Sequence, residues 1–396
     1  MRKLVHLLFL LAGSSYAQQW SQLPSLPGAA RDDGSSFSIG SDIYVGTGMD
    51  EGFQLTTDWH RYSLWDEAWH TSASLPSTAR QYATGFSIDG VGYLQGGVDA
   101  NGALSQFWAY EPAPDVWSPR AALPGTPRSA SASFVLDGLG YVCGGLLQGG
   151  SATGQVWAYD PATNAWVARA PLPGVPRHRA MAFSANGKGY VVGGADAQYQ
   201  ALNDGWCYDP FTNAWSAIAP LPQPRFSSDA AEVLGGGVVV GGASTTTQAH
   251  SECWIYRAAA DLWEPLPPFD AGIRRGGCIA SWGGIRVYYG TGSDNSQRFN
   301  DWYVLDVPVG EMEFTAAPQL SVFPQPVTDQ VNVRWPKGIA PRSFLVIDMS
   351  GRVVLRPQVS MDGRFPISDL APGRYTLVAE WADRRLTAPL VKVPSE

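Results

Sequence analysis

One six-residue phrase returns along this chain at a fixed distance. "GYLQGG" ends at Gly97, "GYVCGG" at Gly145 and "GYVVGG" at Gly194. The second glycine of the pair, or of a Gly-Thr-Gly variant, falls at Gly48, Gly97, Gly145, Gly194, Gly242 and Gly292. Other markers keep register with it. A tyrosine stands at Tyr62, Tyr110, Tyr159, Tyr208 and Tyr256, with Leu305 in the sixth place. A tryptophan follows at Trp69, Trp117, Trp166, Trp215 and Trp263, then Leu-Pro, then an arginine at Arg80, Arg128, Arg177, Arg225 and Arg274. The spacing is 48 to 50 residues throughout. A period of that length decides the architecture before any single residue does. Each copy must be one supersecondary unit that buries its apolar faces only against its neighbours.

Each period reads as four short strands. In the third copy these are "SASFVL", "GYVCGG", "QVWAYD" and "AWVARA". An Asp-Gly turn ("DGLG") joins the first two, and "PATN" joins the last two, where proline presets φ and asparagine tolerates the left-handed region. Four antiparallel strands in about 49 residues make one propeller blade. The glycines end the second strand where the chain turns away close to other backbone, and the Trp and Tyr supply apolar area to pack between blades. The Gly pair, the Tyr-Asp and the spaced Trp together resemble the kelch repeat over about residues 19–307. The fold class implied is all-β: a six-bladed kelch β-propeller followed by a small C-terminal β-sandwich.

The sixth copy lacks its final Trp, and the other end of the chain supplies the missing piece. "QWSQLPSLPGAAR" (19–31) carries Trp20, Leu26-Pro27 and Arg31, and Trp20 precedes Trp69 by 49 residues, one period. The N-terminal segment is therefore expected to add the outer strand of the last blade and close the ring, which removes exposed sheet edges. Five and a half open blades would leave two edges unpaired.

The two ends of the chain read as addresses. Arg2 and Lys3, an apolar run from Leu4 to Ala12 and the small-x-small Ser15-Tyr16-Ala17 make residues 1–17 a secretory signal peptide. The run is too short to span a bilayer, and no other stretch approaches about 20 apolar residues. Residues 18–307 are expected to form the propeller and 308–319 a linker, with 320–396 a sandwich of about seven strands. In that last segment Pro324 and Pro326, Gly351-Arg352, Leu370/Gly373/Tyr375 and Lys392 follow one another in an order that resembles the C-terminal sorting domain of the type IX (Por) secretion system. Gln325 stands where that family usually has Asn, and a short Val-Pro-Ser-Glu tail follows Lys392. The resemblance implies engagement of the type IX machinery, export across the outer membrane, removal of the domain, and release or surface attachment. The alternative is an ordinary sandwich module used for binding.

Charge is uneven. Residues 18–318 carry 15 Lys+Arg against 28 Asp+Glu, and residues 319–396 carry 10 against 7. An acidic body without basic clusters argues against nucleic acid or an anionic membrane as a main partner. Cys143, Cys207, Cys253 and Cys278 show no CxxC and no zinc spacing. Each lies in an expected strand and reads as a small buried hydrophobe, although export would permit a Cys253–Cys278 bridge between neighbouring blades. No Ser/His/Asp or nucleophilic Cys arrangement, P-loop or dinucleotide fingerprint occurs, and His60, His70, His178 and His250 fall at unrelated repeat positions, unlike a copper site. No cofactor and no metal is called for.

Ligands of propellers meet the loops around the central channel. There the repeat places Arg31, Arg80, Arg128, Arg177, Arg225 and Arg274. Six guanidiniums near one axis suit an acidic ligand; the competing reading is that an arginine repeated in every blade binds backbone carbonyls or a neighbouring carboxylate. The residues that differ between copies are more informative. Just after the arginines come Asp32-Asp33, Gln81-Tyr82, Ser129, His178-Arg179, Phe226-Ser227 and Arg275. Asp32, Tyr82, His178, Arg179 and Phe226 join the arginines as candidate contacts to a glycan or a protein. Asp229 and Glu232 replace small or apolar residues of the other copies, three apart and so on opposite faces of one inner strand. Glu232 with Arg225 is a weak catalytic candidate, by superficial similarity to six-bladed sialic-acid mutarotases. The expectation is a binding module rather than an enzyme, with a sugar mutarotase or epimerase as the alternative.

Overall fold

A computed structural model describes residues 19–307, 320–323, 327–334, 341–348, 352–358, 363–380 and 385–394. The signal peptide and linker expectations lie outside these residues. Two compact units divide between Val309 and Gly310. No helix among the described residues is long and apolar enough to cross a membrane.

The first unit is built from six antiparallel four-stranded sheets. Blade 1 runs outward from Ser35–Ile39 through Asp42–Gly46 and Trp59–Ser63 to Ala68–Ser72. The inner strands of blades 2 to 5 are Thr84–Ile88, Ala132–Leu136, Met181–Ala185 and Asp229–Val233. Blade 6 contains Cys278–Trp282, Arg286–Gly290 and Trp302–Asp306, and its outer strand is Ser21–Leu23 from the other end of the chain. Leu23 stands opposite Trp302 and Ser21 opposite Val304. Every inner strand lies against the next, and that of blade 6 lies against that of blade 1, so the ring is closed.

The repeated residues are the ones that join blades. Each marker tryptophan donates its indole N–H to a backbone carbonyl of the preceding blade, as Trp117 does to Ala73 at 2.9 Å and Trp166 to Ala121 at 2.8 Å. Trp20 carries the series across the seam to Pro267 at 3.4 Å. The glycine pair takes positive φ, +67° and +112° at Gly144 and Gly145. That geometry turns the Gly145 N–H onto the carbonyl of Arg177 in the next blade, 2.8 Å away. The same bond recurs in all six blades and closes from Gly292 to Arg31 at 2.7 Å.

Four interfaces also share an interlock of large against absent side chains. Phe37, Phe86, Phe134 and Phe183 lie where a Cβ on Gly92, Gly140, Gly189 or Gly237 of the following blade would come within 2.2–2.4 Å of the ring. At the two remaining interfaces both partners change. Ala231 and Ala280 take the phenylalanine positions, while Val287 and Ile43 take the glycine positions. Volume is thus traded across the contact, as close packing requires.

All four cysteines are buried free thiols, and no Cys253–Cys278 bridge forms. Burial pushes the Cys253 and Cys278 thiols up to about 12, so neither offers a thiolate near neutral pH.

The second unit has seven strands among its described residues, in a three-stranded sheet (Ser321–Phe323, Gln330–Arg334, Arg364–Pro366) and a four-stranded sheet (Val353–Leu355, Ser343–Asp348, Gly373–Glu380, Arg385–Lys392). Val331, Val346, Phe365, Leu377 and Leu390 form its core. Leu370 joins that core, and the Tyr375 hydroxyl donates to the Ala371 carbonyl at 2.8 Å. Lys392 is buried, with its ammonium on the carbonyls of Ile367 and Ser368 at 2.7 and 2.9 Å. Pro324, Gln325, Pro326 and Gly351 lie outside the described residues.

Candidate ligand site at the channel mouth

A collar of backbone surrounds one end of the propeller channel. It is made by the residue two positions after each repeated arginine: Asp33, Tyr82, Ala130, Arg179, Ser227 and Gly276. All six have positive φ, between +49° and +60°. This turns each N–H onto the carbonyl of its counterpart in the preceding blade. Tyr82 donates to Asp33 at 2.9 Å, Ala130 to Tyr82 and Arg179 to Ala130 at 2.8 Å. Ser227 donates to Arg179 at 3.2 Å, Gly276 to Ser227 at 2.9 Å and Asp33 to Gly276 at 2.7 Å, completing the circle. No β-branched residue occupies any of the six positions, as left-handed backbone demands.

The collar and Asp229 bound a cup of about 110 Å³. The cup continues into a channel of about 190 Å³, walled by small residues such as Ser36, Gly85, Ser133 and Ala182 from the inner strands. A Cβ on Gly85 would stand 2.7 Å from the Ser36 carbonyl, so the wall there is as close as backbone permits.

Side chains break the sixfold symmetry that the backbone keeps. The Arg179 guanidinium lies over the Tyr82 ring, 4.2 Å from its centroid, and 5.3 Å from that of Tyr199. It donates to the Ser227 hydroxyl at 3.2 Å, while its buried Nε has no protein partner. Tyr82 and Asp33 both line the cup. Burial, then the charge of Asp32, raises the Asp33 pKa to about 6, against the opposing pull of Arg179 and Tyr82. Asp229 is raised further above the usual carboxylate range by burial and then by Asp33, and its buried Oδ2 has no protein partner. The cup thus offers a guanidinium, a phenol, a hydroxyl and two carboxyls, both held above the usual carboxylate range. That set suits a ligand rich in hydroxyl groups, which both donate and accept.

The structure brings only part of the expected site together. Tyr82 and Arg179 line the cup. Asp32 is buried in an ion pair with Arg298 at 2.6 Å. His178 is buried with Nε2 on the Asp196 carbonyl at 3.0 Å, and burial, then Arg179, lowers its pKa to about 4. Phe226 is fully buried against Ala195 and Ala243. The reason is local. The residue directly after each arginine pairs with the loop beyond the glycines, as in the bridges His178–Ala195 and Phe226–Ala243, and only the following residue turns inward. Asp33 and Ser227 are therefore cup residues, although nothing in the sequence separates them from Asp32 and Phe226.

The arginine ring is a correction. Arg31, Arg80, Arg128, Arg177, Arg225 and Arg274 are each 0–1% exposed and cannot reach a ligand. Arg31 holds Asp58 with two bonds at 2.8 and 2.7 Å, and Arg177 holds Asp204 at 2.7 and 2.6 Å. Arg80 and Arg128 use Gln106 and Gln155, and Arg225 and Arg274 use Glu252 and Asp301. Most also bond a carbonyl sixteen residues on, as Arg225 does with Gly241 at 2.7 Å. They are internal clamps. Glu232 and Arg225 are not brought together either. Glu232 is exposed and seven residues along from Arg225, outside the cup, which Asp229 borders instead. Among the described residues no cluster of three His, Cys, Asp or Glu side chains is placed to hold a metal.

Comparison with known proteins agrees with this architecture. The Kelch motif family matches residues 127–173 and 176–222, and the secretion system C-terminal sorting domain family matches residues 321–392. No curated protein matches the chain. Among solved structures, one titled "Structure of YjhT" superposes with a TM-score of 0.64 at 18% identity, covering 73% of this chain and 98% of that one. The chain is a kelch propeller with a type IX sorting domain, which directs it through that system to the cell surface or the medium.

Proposed function

We propose that this exported kelch propeller is a binding module whose ligand seats a sugar-sized, hydroxyl-bearing group in the cup at the channel mouth. The observation that carries the reading is the collar itself. A rigid ring of six backbone hydrogen bonds presents unlike side chains at equivalent positions, and those side chains are Asp33, Tyr82, Arg179 and Ser227. Structural residues of the propeller repeat in every blade, whereas these do not. The recess is too narrow for more of a protein partner than a single side chain.

The test is titration of the full chain with monosaccharides, neutral (glucose, galactose, mannose, N-acetylglucosamine) and acidic (glucuronate, sialic acid). A ligand of the cup raises the melting midpoint by mass action. Arg179→Met and Tyr82→Ala abolish that rise. Binding that survives both substitutions excludes the cup. A second reading, a sugar mutarotase or epimerase, is favoured by Asp33, a carboxyl lining the cup whose pKa is raised to about 6, closer to a neutral working pH as a general acid or base needs. It predicts accelerated anomer exchange of the bound sugar, seen by NMR and lost in Asp33→Asn with binding retained.

A further inference from the structure

Outside the cup, one large aromatic side chain on the same face is left mostly uncovered. Phe53 is 71% exposed and has φ of +58°, a conformation costly for a bulky residue. The loop that holds it is well built. Phe53 N–H donates to the Asp50 carbonyl at 3.0 Å, and Gln54 N–H donates to the Asp50 carboxylate at 2.8 Å. The same loop recurs in blade 4, where Tyr199 at φ +61° bonds Asp196 and Gln200 bonds its carboxylate. There the aromatic ring folds down onto His178, 4.9 Å between centroids, and near Arg179. In blade 1 the ring stands up, with the Arg298 guanidinium 4.7 Å from its centroid.

Phe53 also stands between two hollows. One, of about 140 Å³, lies between blades 6 and 1 and includes Arg275 and Gln297. The other, of about 560 Å³, lies between blades 1 and 2 and includes Gln54, Gln81 and Asn101. Asp32, next in sequence to the collar residue Asp33, borders the first hollow and is paired there with Arg298. An aromatic face among amide side chains is the chemistry that receives a sugar ring: C–H groups meet the π surface, and amides donate to and accept from hydroxyls.

We propose that Phe53 is the platform of a second subsite, which binds the internal residues of an uncharged oligosaccharide whose end occupies the cup. This rests on the reading of the cup given above. It makes the ligand a glycan chain rather than a free monosaccharide. Apart from Asp99, the larger hollow carries no ionisable side chain, which fits a neutral chain.

The experiment is calorimetric titration of the full chain with cello-, malto-, xylo-, laminari- and chito-hexaose, each beside its monosaccharide. At least one hexamer binds about tenfold or more tighter than its monomer, one tenfold being the scale of a single good stacking contact. Phe53→Ala removes that advantage and leaves monomer affinity unchanged, while Phe53→Trp restores it. Phe53 is exposed, so neither variant threatens folding, and an unchanged melting midpoint checks this. The proposal is overturned if Phe53→Ala leaves hexamer affinity intact, or if no hexamer binds better than its monomer at millimolar concentration. The two readings fail separately. If Arg179→Met leaves monomer binding untouched, the cup reading falls; if only Phe53→Ala is silent, the platform falls and the cup stands.

Discussion

Asp33 is a carboxyl placed where its charge is poorly supported. Its pKa in the folded chain is about 6, above the ordinary carboxylate value of 3.8. Folding therefore favours the protonated form, so Asp33 contributes stability that is complete below about pH 4 and lost as pH rises through 6. Asp33→Asn should flatten the fall in melting midpoint between pH 4 and 7 and raise the midpoint at pH 8. A thermal-melt series across that range checks it, and identical curves for the two proteins would mean that Asp33 ionises freely. This residue also shows where sequence reading stopped. Asp32 and Asp33 are adjacent acids in one loop, yet one is clamped by Arg298 and the other faces the cup. Their separation depends on a left-handed turn that aspartate adopts as readily as asparagine, and no residue type announces it.

At the scale of the blade, the sequence is far more legible. The four-strand period, the Asp-Gly turns and the spaced tryptophans lead directly to the sheets observed, and the tryptophans and glycine pairs each make the same contact six times. Trp117 and Trp166 bridge neighbours by the same bond, and Gly145 turns onto Arg177 by the geometry that only glycine holds without strain. The phenylalanine–glycine interlock was less visible, since it needs a residue in one copy to be read against a different position in the next. It yields a paired prediction. Gly140→Val forces a branched side chain onto the Phe86 ring and should destabilise the propeller by several kcal/mol. Phe86→Ala alone should cost about 3–5 kcal/mol. The double variant reproduces the Ala231–Val287 type of interface and should recover at least half of the summed loss, measured as coupling in a denaturant-melt cycle. Strict additivity of the two losses would refute the trade of volume.

The molecule as a whole depends on a strand of three residues. Ser21–Leu23 completes blade 6, Trp20 reaches Pro267, and Arg31 and Asp33 accept and donate the closing bonds of two rings. Deleting residues 18–31 should lower the melting midpoint by more than about 10 °C, since several kcal/mol are lost at 2–4 °C each in a domain of this size. A midpoint within a few degrees of the intact chain would show that the seam contributes little. Ring closure was readable from a tryptophan out of place by one period. The acidic and basic residues of the channel face were not, because their roles rest on which way a loop points rather than on what it repeats.

That seam has a temporal side. Chain synthesis delivers Trp20 first and Trp302 some 280 residues later, and the two must meet before any edge of the disc is covered. Until then the earliest segment waits as a latch with nothing to fasten to, and the first and fifth blades each present an unguarded flank. A product that stops short of Trp302 leaves Ser21–Leu23 without its partner strand, however many intact blades it contains.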